Sequence, residues 1–388
     1  MNYQLLALCP DELKGVVAKE LESLGATETK EAYRAVYFSV SERDYYRVHL
    51  RARTPSTFIR VLKSFGKVSV RGVFNLAGKV AWSDVFTSKK TYRIDANIAE
   101  RGEEFPSSNE FSRQVRLAIE AHFKKNDLEI PNVSVKEPQV VITAFYAKGT
   151  LVLGVNTSKH SLHKRGYRLD GHPAPIKETM ASALLDMMGY DGTTAFLDPM
   201  CGSGTIAIEA CYKALNKACH IHRKKGLFGF EHLKDFNSEL WRTLQDEARE
   251  EREETPKHPI CASDINASYV DLASKNALRA RVEKYMKLET ASLFDIDKPA
   301  PSGIMLTNMP YGERLWTEED FLDFYKKVGD HLKQKFTGWK IGLFVAEDSP
   351  WKFIGLKPTR KISLLNGSIK TKLLIFEIYE GSKRINLG

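Results

Sequence analysis

Apolar and polar positions recur along this chain at two periods, and the shift between them divides it into parts. An apolar run at 3–8 predicts a strand. Pro10 and Asp11 then open an amphipathic stretch through Leu24, with Gly25 where a helix would stop. A second strand is predicted at 35–40 and a second helix at 44–51, giving a small α+β unit over residues 1–60. Residues 65–155 form another such unit, with strands at 91–96, 139–146 and 150–156 and a helix at 108–124. Lys148-Gly149 serves as the hairpin turn between the last two strands. From about residue 160 the texture changes. Short apolar segments at 196–197, 260–263, 304–307 and 340–346 alternate with helical patterns at 203–215, 266–281 and 318–335. This alternation predicts a parallel sheet covered by helices on both faces, an α/β domain over 160–388. Such sheets take ligands beyond the carboxyl ends of their strands, where strand order reverses. The stretch 234–257, with Glu247, Glu250, Glu251, Glu253 and Glu254, predicts a solvated helix and connector without a functional role.

Composition narrows the class. The 388 residues suit two or three domains rather than one. No apolar run approaches the roughly 18 residues of a spanning helix, and the N-terminus lacks a basic segment followed by an apolar core. A cytoplasmic protein without a membrane partner is expected. The five cysteines, Cys9, Cys201, Cys211, Cys219 and Cys261, are odd in number and form no CxxC pair, so packed, reduced thiols are expected and neither disulfides nor a metal site. A formal net charge of +9 favours a polyanionic partner. The cations cluster: Arg47, Arg51, Arg53, Arg60, Lys63, Lys67 and Arg71 occur with no acidic residue among them, and Lys159, His160, His163, Lys164, Arg165 and Arg168 form a second group. The helix at 108–124 adds Arg113 and Arg116. Nucleic-acid contacts are therefore expected at Arg113, Arg116, Lys164 and Arg165.

Three motifs in the α/β part carry chemistry. The first is Asp198-Pro199-Met200-Cys201-Gly202-Ser203-Gly204-Thr205, where an aspartate closes a strand, two glycines let the backbone approach a ligand, and a helix follows. It lacks both the GK[ST] ending of a phosphate loop and the GxGxxG spacing, and it better fits S-adenosylmethionine, whose amino-acid end rests on backbone. The second is Ser263-Asp264-Ile265-Asn266, which places a carboxylate at a strand end where two ribose hydroxyls can donate to it. Helix capping is the alternative role for Asp264. Ala291-Ser292-Leu293-Phe294 follows where an adenine would lie. The third is Asn308-Met309-Pro310-Tyr311. The Asn308 amide oxygen and the Met309 carbonyl can accept the two hydrogens of a conjugated amine, Pro310 fixes the turn, and Tyr311 offers a ring for a base to stack on. Methyl transfer to a planar amino group is the chemistry these motifs share.

Together with Thr307 and with Gly312-Glu313-Arg314-Leu315, these motifs resemble the THUMP-domain-containing class I methyltransferases that form N2-methylguanosine in RNA. His163-Lys164-Arg165-Gly166-Tyr167-Arg168 and Ala174-Pro175-Ile176-Lys177-Glu178-Thr179 resemble the segment joining THUMP to catalytic domain in that family. The likeness is greatest to the bacterial group acting on 23S ribosomal RNA, whose members are often labelled N6-adenine-specific DNA methylases. The resemblance implies a ferredoxin-like domain at 1–60, a THUMP domain at 65–155 and a Rossmann-like class I methyltransferase domain at 160–388. It implies S-adenosylmethionine as cofactor, held around Asp198, Met200, Cys201, Gly202, Ser203, Gly204, Thr205, Asp264, Ile265, Ser292, Leu293 and Asn308. The implied partner is 23S ribosomal RNA or a ribosome-assembly intermediate, with no oligomeric state fixed. Two positions depart from the family pattern. Met309 stands where a first proline is usual, which is expected to loosen the turn without abolishing chemistry, and Ser292 stands where many relatives have aspartate. N6-methylation of adenine in DNA or RNA is a second function compatible with the tetrapeptide, and a non-catalytic RNA-binding assembly factor is a third.

Overall fold

The computed structural model describes residues 2–98, 107–147, 149–168, 176–310 and 318–379. The chain forms two compact units: Met1–Leu162 with His220–Glu247, and His163–Cys219 with Ala248–Gly388. Among the described residues no helix is long and apolar enough to cross a membrane.

The first unit is built on one seven-stranded sheet. Its strands are β1 (Asn2–Leu8), β2 (Thr27–Ala32), β3 (Ala35–Ser41), β4 (Thr57–Phe65), β5 (Tyr92–Ile98), β6 (Val140–Ala147) and β7 (Thr150–Asn156), in the order β2-β3-β1-β4-β7-β6-β5. The residues that separate the two units read from sequence form β4, which pairs antiparallel with β1 on one side and β7 on the other. Lys148 of the predicted hairpin turn lies outside the described residues. The helix Glu42–Arg51 is started by Ser41, whose hydroxyl accepts from the Asp44 N–H at 3.1 Å. Its acidic first turn and basic last turn complement the helix dipole. It buries Tyr45, Tyr46, Val48, His49 and Leu50. His49 bonds the Tyr45 carbonyl and the Thr157 hydroxyl, each at 2.7 Å, and burial pushes its pKa down to about 3, so it packs as a neutral ring. Arg60, one of the cations clustered in the sequence, is buried and paired with Asp235 at 2.7 Å.

The second unit is a seven-stranded sheet of β8 (Ala195–Asp198), β9 (Ile260–Asp264), β10 (Lys287–Thr290), β11 (Gly303–Asn308), β12 (Trp339–Ala346), β13 (Arg360–Asn366) and β14 (Ile369–Glu377), ordered β10-β9-β8-β11-β12-β14-β13. The first five are parallel, as the strand–helix alternation predicts. The last two run antiparallel, because Asn366-Gly367-Ser368-Ile369 joins them by a tight hairpin that a parallel pair cannot use. The core beneath β11 and β12 gathers Met305, Tyr325, Val328, Leu332, Phe336, Trp339, Ile341 and Leu343. Tyr325, Val328 and Leu332 recur at helical spacing along the buried stripe of the helix Glu318–Lys335. Chain order reverses between β8, the first strand laid down, and β11, so the crevice that takes ligands in such sheets opens beyond β8, β9 and β11.

Candidate active site

The three motifs converge on that crevice. Asp198 ends β8 fully buried. The loop after it is held by backbone: Cys201 N–H donates to the Ser263 carbonyl at 2.9 Å and Gly204 N–H to the Cys201 carbonyl at 2.8 Å. The Asn276 side-chain amide donates to the Ser203 carbonyl at 2.9 Å. Gly204 has φ 78°, and a Cβ there would lie 2.9 Å from that of Ala273 on the helix Ala267–Ala280, so a side chain would force the loop off its support. The helix Thr205–Ala214 then begins.

Asp264 ends β9 and is tied into this loop. One carboxylate oxygen accepts the Gly202 N–H and the other the Asn266 N–H, both at 3.0 Å. Each oxygen keeps a lone pair beyond these bonds. Asn266 caps the following helix by accepting from Ser268 N–H at 3.0 Å, so the capping role considered for Asp264 falls chiefly to its neighbour. Ile265 is 75% exposed, an aliphatic wall beside the carboxylate. Ala291 N–H reaches the Asp264 carbonyl at 3.1 Å and carries the next turn to the same place. There Ser292 caps the turn by accepting from Phe294 N–H at 3.3 Å, while the Leu293 side chain is buried in the hydrophobic core. Met200 packs partly against that core and Cys201 is buried. Burial, with the charges of Asp198 and Asp264, pushes the Cys201 thiol well up, so it stays protonated.

Asn308 ends β11. One residue earlier the Thr307 hydroxyl donates to Asp198 at 2.8 Å, a buried tie between the strand carrying the aspartate and the strand carrying the amide. Burial raises the Asp198 carboxyl to about 7. The Thr307 hydroxyl and the Met200 amide pull it back, and the charge of Asp264 adds to the rise. The Met309 N–H donates to the Phe344 carbonyl at 2.9 Å, a bond no proline can make, and the Met309 side chain is wholly buried in the core. Pro310 is half-buried, and Tyr311 lies outside the described residues, as do Gly312 to Leu315 of the same motif.

Three buried polar atoms here have no hydrogen-bond partner among the described residues: the second oxygen of Asp198, the hydroxyl of Ser263 and the amide oxygen of Asn308. They belong to the carboxyl ends of the neighbouring strands β8, β9 and β11. An unpaired buried polar atom costs about 1–3 kcal/mol, so three of them around one crevice mark a place that a polar ligand completes. Asn276 was not singled out in the sequence, and Ser263 and Thr307 stood within quoted motifs without a role of their own.

The expected nucleic-acid residues divide. Arg113 and Arg116 stand exposed on the helix Ser108–Lys125, in ion pairs with Glu110 at 2.9 Å and Glu120 at 3.4 Å. Exposed pairs of this kind contribute at most about 1 kcal/mol and exchange readily for phosphate. Lys164 is exposed. Arg165 is not a surface cation: its guanidinium is wholly buried 3.5 Å from Glu209, whose carboxylate also accepts from Tyr167 and Ser182. Ala174 and Pro175 of the joining segment lie outside the described residues.

Family models match three stretches: an RlmL ferredoxin-like domain at 4–61, a THUMP domain at 69–156 and an RMKL-like methyltransferase domain at 165–375. A curated relative from Shewanella amazonensis, named ribosomal RNA large subunit methyltransferase K/L, is 31% identical over 98% of this chain. The chain spans about half the length of the curated relatives it matches, 54% in that case. Among solved structures, a possible methylase from Clostridium difficile superposes with TM-score 0.89 at 25% identity, over 99% of this chain and 100% of that one. A predicted N6-adenine-specific DNA methylase from Listeria monocytogenes does so with TM-score 0.85 at 25% identity, over 97% of each.

Proposed function

This chain belongs to the RMKL-like methyltransferase family, with an RlmL-type ferredoxin-like domain and a THUMP domain ahead of the catalytic one, and from that premise we propose that it transfers a methyl group from S-adenosylmethionine to the exocyclic N2 of a guanine in RNA, with 23S ribosomal RNA as substrate. The observation that carries this reading is the trio of unpaired buried atoms on Asp198, Ser263 and Asn308 at the switch of strand order. The basic N-terminal part and the ribosomal RNA named for the curated relatives support RNA as the substrate.

The residues present fit the cofactor. The backbone from Gly202 to Gly204 suits its amino-acid end, the remaining lone pairs of Asp264 suit two ribose hydroxyls, and Ile265 and Ser292 flank the place for an adenine. When bound, S-adenosylmethionine supplies an electrophilic methyl group. The guanine amine is a poor nucleophile because its lone pair is delocalised into the ring. The Asn308 oxygen and the Met309 carbonyl, accepting one amino hydrogen each, favour a pyramidal nitrogen and aim its lone pair. The nitrogen sheds a proton after the new C–N bond forms, so no base has to remove it first. Tyr311 provides the stacking face. A base drawn from paired RNA must leave its stack to arrive there.

A second reading, N6-methylation of adenine, has one observation in its favour: an amide oxygen beside a carbonyl serves either amine, and the Listeria homologue carries that name. Incubating the protein with unmodified 23S ribosomal RNA and labelled S-adenosylmethionine, then digesting to nucleosides, separates the readings. Label in N2-methylguanosine supports the proposal and label in N6-methyladenosine replaces it. Cofactor binding with no labelled nucleoside leaves an RNA-binding assembly factor.

A further inference from the structure

The stretch His220–Glu247 lies in sequence inside the catalytic part, yet it folds into the first unit, and the way it is anchored leaves a purpose to explain. Phe228 and Phe230 stack with ring centroids 4.9 Å apart, and both meet Trp241 edge-on, at 5.5 and 5.1 Å. Phe230 also meets Tyr46 at 5.2 Å and His49 at 4.9 Å. Gly229 N–H donates to the Thr157 carbonyl at 2.7 Å. This aromatic plug fixes the start of the segment, His222-Arg223-Lys224-Lys225, on the unit's surface with His222, Lys224 and Lys225 exposed.

Further cations meet it there. Arg223 lies over the Phe228 ring at 4.6 Å and donates to the Ser158 and His160 carbonyls at 3.0 and 3.1 Å. Lys159 donates to the Gly226 carbonyl at 3.1 Å, and His232 bonds the same oxygen at 3.0 Å. The acidic residue within the loop is already engaged: Glu231 accepts the Gly226 and Phe228 N–H groups at 2.8 and 3.0 Å. A rigid, aromatic-anchored loop that gathers like charges has a cost in self-repulsion, and a polyanion relieves it.

We propose that the loop 222–225, with Lys159, is a phosphate-gripping ridge for the RNA substrate, separate from Arg113 and Arg116. The proposal rests on the reading of RNA as substrate. Binding of a 23S ribosomal RNA transcript, followed by filter retention across potassium chloride concentrations, tests it with the full chain. Lys224→Gln/Lys225→Gln removes two exposed charges while keeping Arg223 and its carbonyl contacts. With about 0.7–0.9 counterions released per phosphate contact, the slope of log affinity against log salt becomes shallower by about 1.4–1.8. Affinity falls by at least about tenfold at moderate salt, while S-adenosylmethionine affinity stays unchanged. A slope equal to that of the unaltered protein, in a chain that still methylates the RNA, overturns the ridge and leaves the RNA reading standing. An equal loss in Lys284→Gln/Lys298→Gln, two exposed lysines of the second unit, shows net charge alone at work and also overturns it. An unaltered protein that neither retains nor methylates RNA fails the substrate reading itself.

Discussion

The two halves of the crevice are finished to different degrees. Around the glycine loop the backbone is already held, with unpaired atoms only on the side chains of Asp198 and Ser263: Asp264 holds the Gly202 and Asn266 amides, Asn276 holds the Ser203 carbonyl, and the Cys201 amide is pinned to the Ser263 carbonyl. The end of β11 is as firmly fixed, through the Met309 amide to Phe344 and the Thr307 hydroxyl to Asp198, yet the functional atom of Asn308 is left without a partner among the described residues. The contrast teaches a division of labour. One half is a preformed cradle whose shape is its function. The other is a rigid mount for a single unsatisfied acceptor, whose worth appears only when an amine donates to it.

Substitutions break this contrast in a ranked order. The largest expected effect is on Asn308→Ala, which removes the open acceptor and leaves its mount: the chemical step should slow by about 10²–10³-fold, measured by single-turnover methyl transfer. Gly204→Val comes next. A left-handed φ and the approach to Ala273 should destabilise the second unit by about 2–3 kcal/mol and weaken cofactor binding, checked by thermal melting and by titration. Asp198 gives a smaller, pH-dependent signature. Its folded pKa of about 7 lies above that of the unfolded chain, so the native state holds the extra proton between about pH 4 and 7. Stability of the ligand-free protein should therefore fall as pH rises through that window, with the loss complete above it. Asp198→Asn should flatten that part of the denaturation profile, and a profile unchanged by the substitution would show the carboxyl ionised throughout. The smallest effect is expected for Met309→Leu, which keeps both the amide bond to Phe344 and the buried volume: less than about 1.5 kcal/mol in chemical denaturation, with transfer close to that of the unaltered protein.

How much of this was legible beforehand varies with the range of the interaction. The parallel strands, the glycine loop and the placement of Asp198, Asp264 and Asn308 at strand ends followed from local periodicity and from motif order, because strand ends and turns are written in adjacent residues. The hairpin of β13 and β14 was not read, although Asn366-Gly367 between two apolar runs is a local hairpin signal. What could not be read was long-range. The strand β4 bridges what look like two separate units because its partners β1 and β7 lie about 50 and 95 residues away. Arg165 resembled its basic neighbours, and only the fold brings Glu209, Tyr167 and Ser182 around it and turns a surface cation into a buried one. The segment from His220 gave no sign that it leaves the catalytic unit, because its aromatic residues find Tyr46 and His49 far back in the chain.

The division between cradle and acceptor meets its most direct test in parallel calorimetric titrations of S-adenosylmethionine into the unaltered protein, Asn308→Ala and Asp264→Ala. The account predicts an affinity for Asn308→Ala within about twofold of the unaltered protein. It predicts a loss of about tenfold or more for Asp264→Ala, where charge-assisted bonds worth roughly 1.5–3 kcal/mol each are removed. Equal losses in the two variants would contradict it.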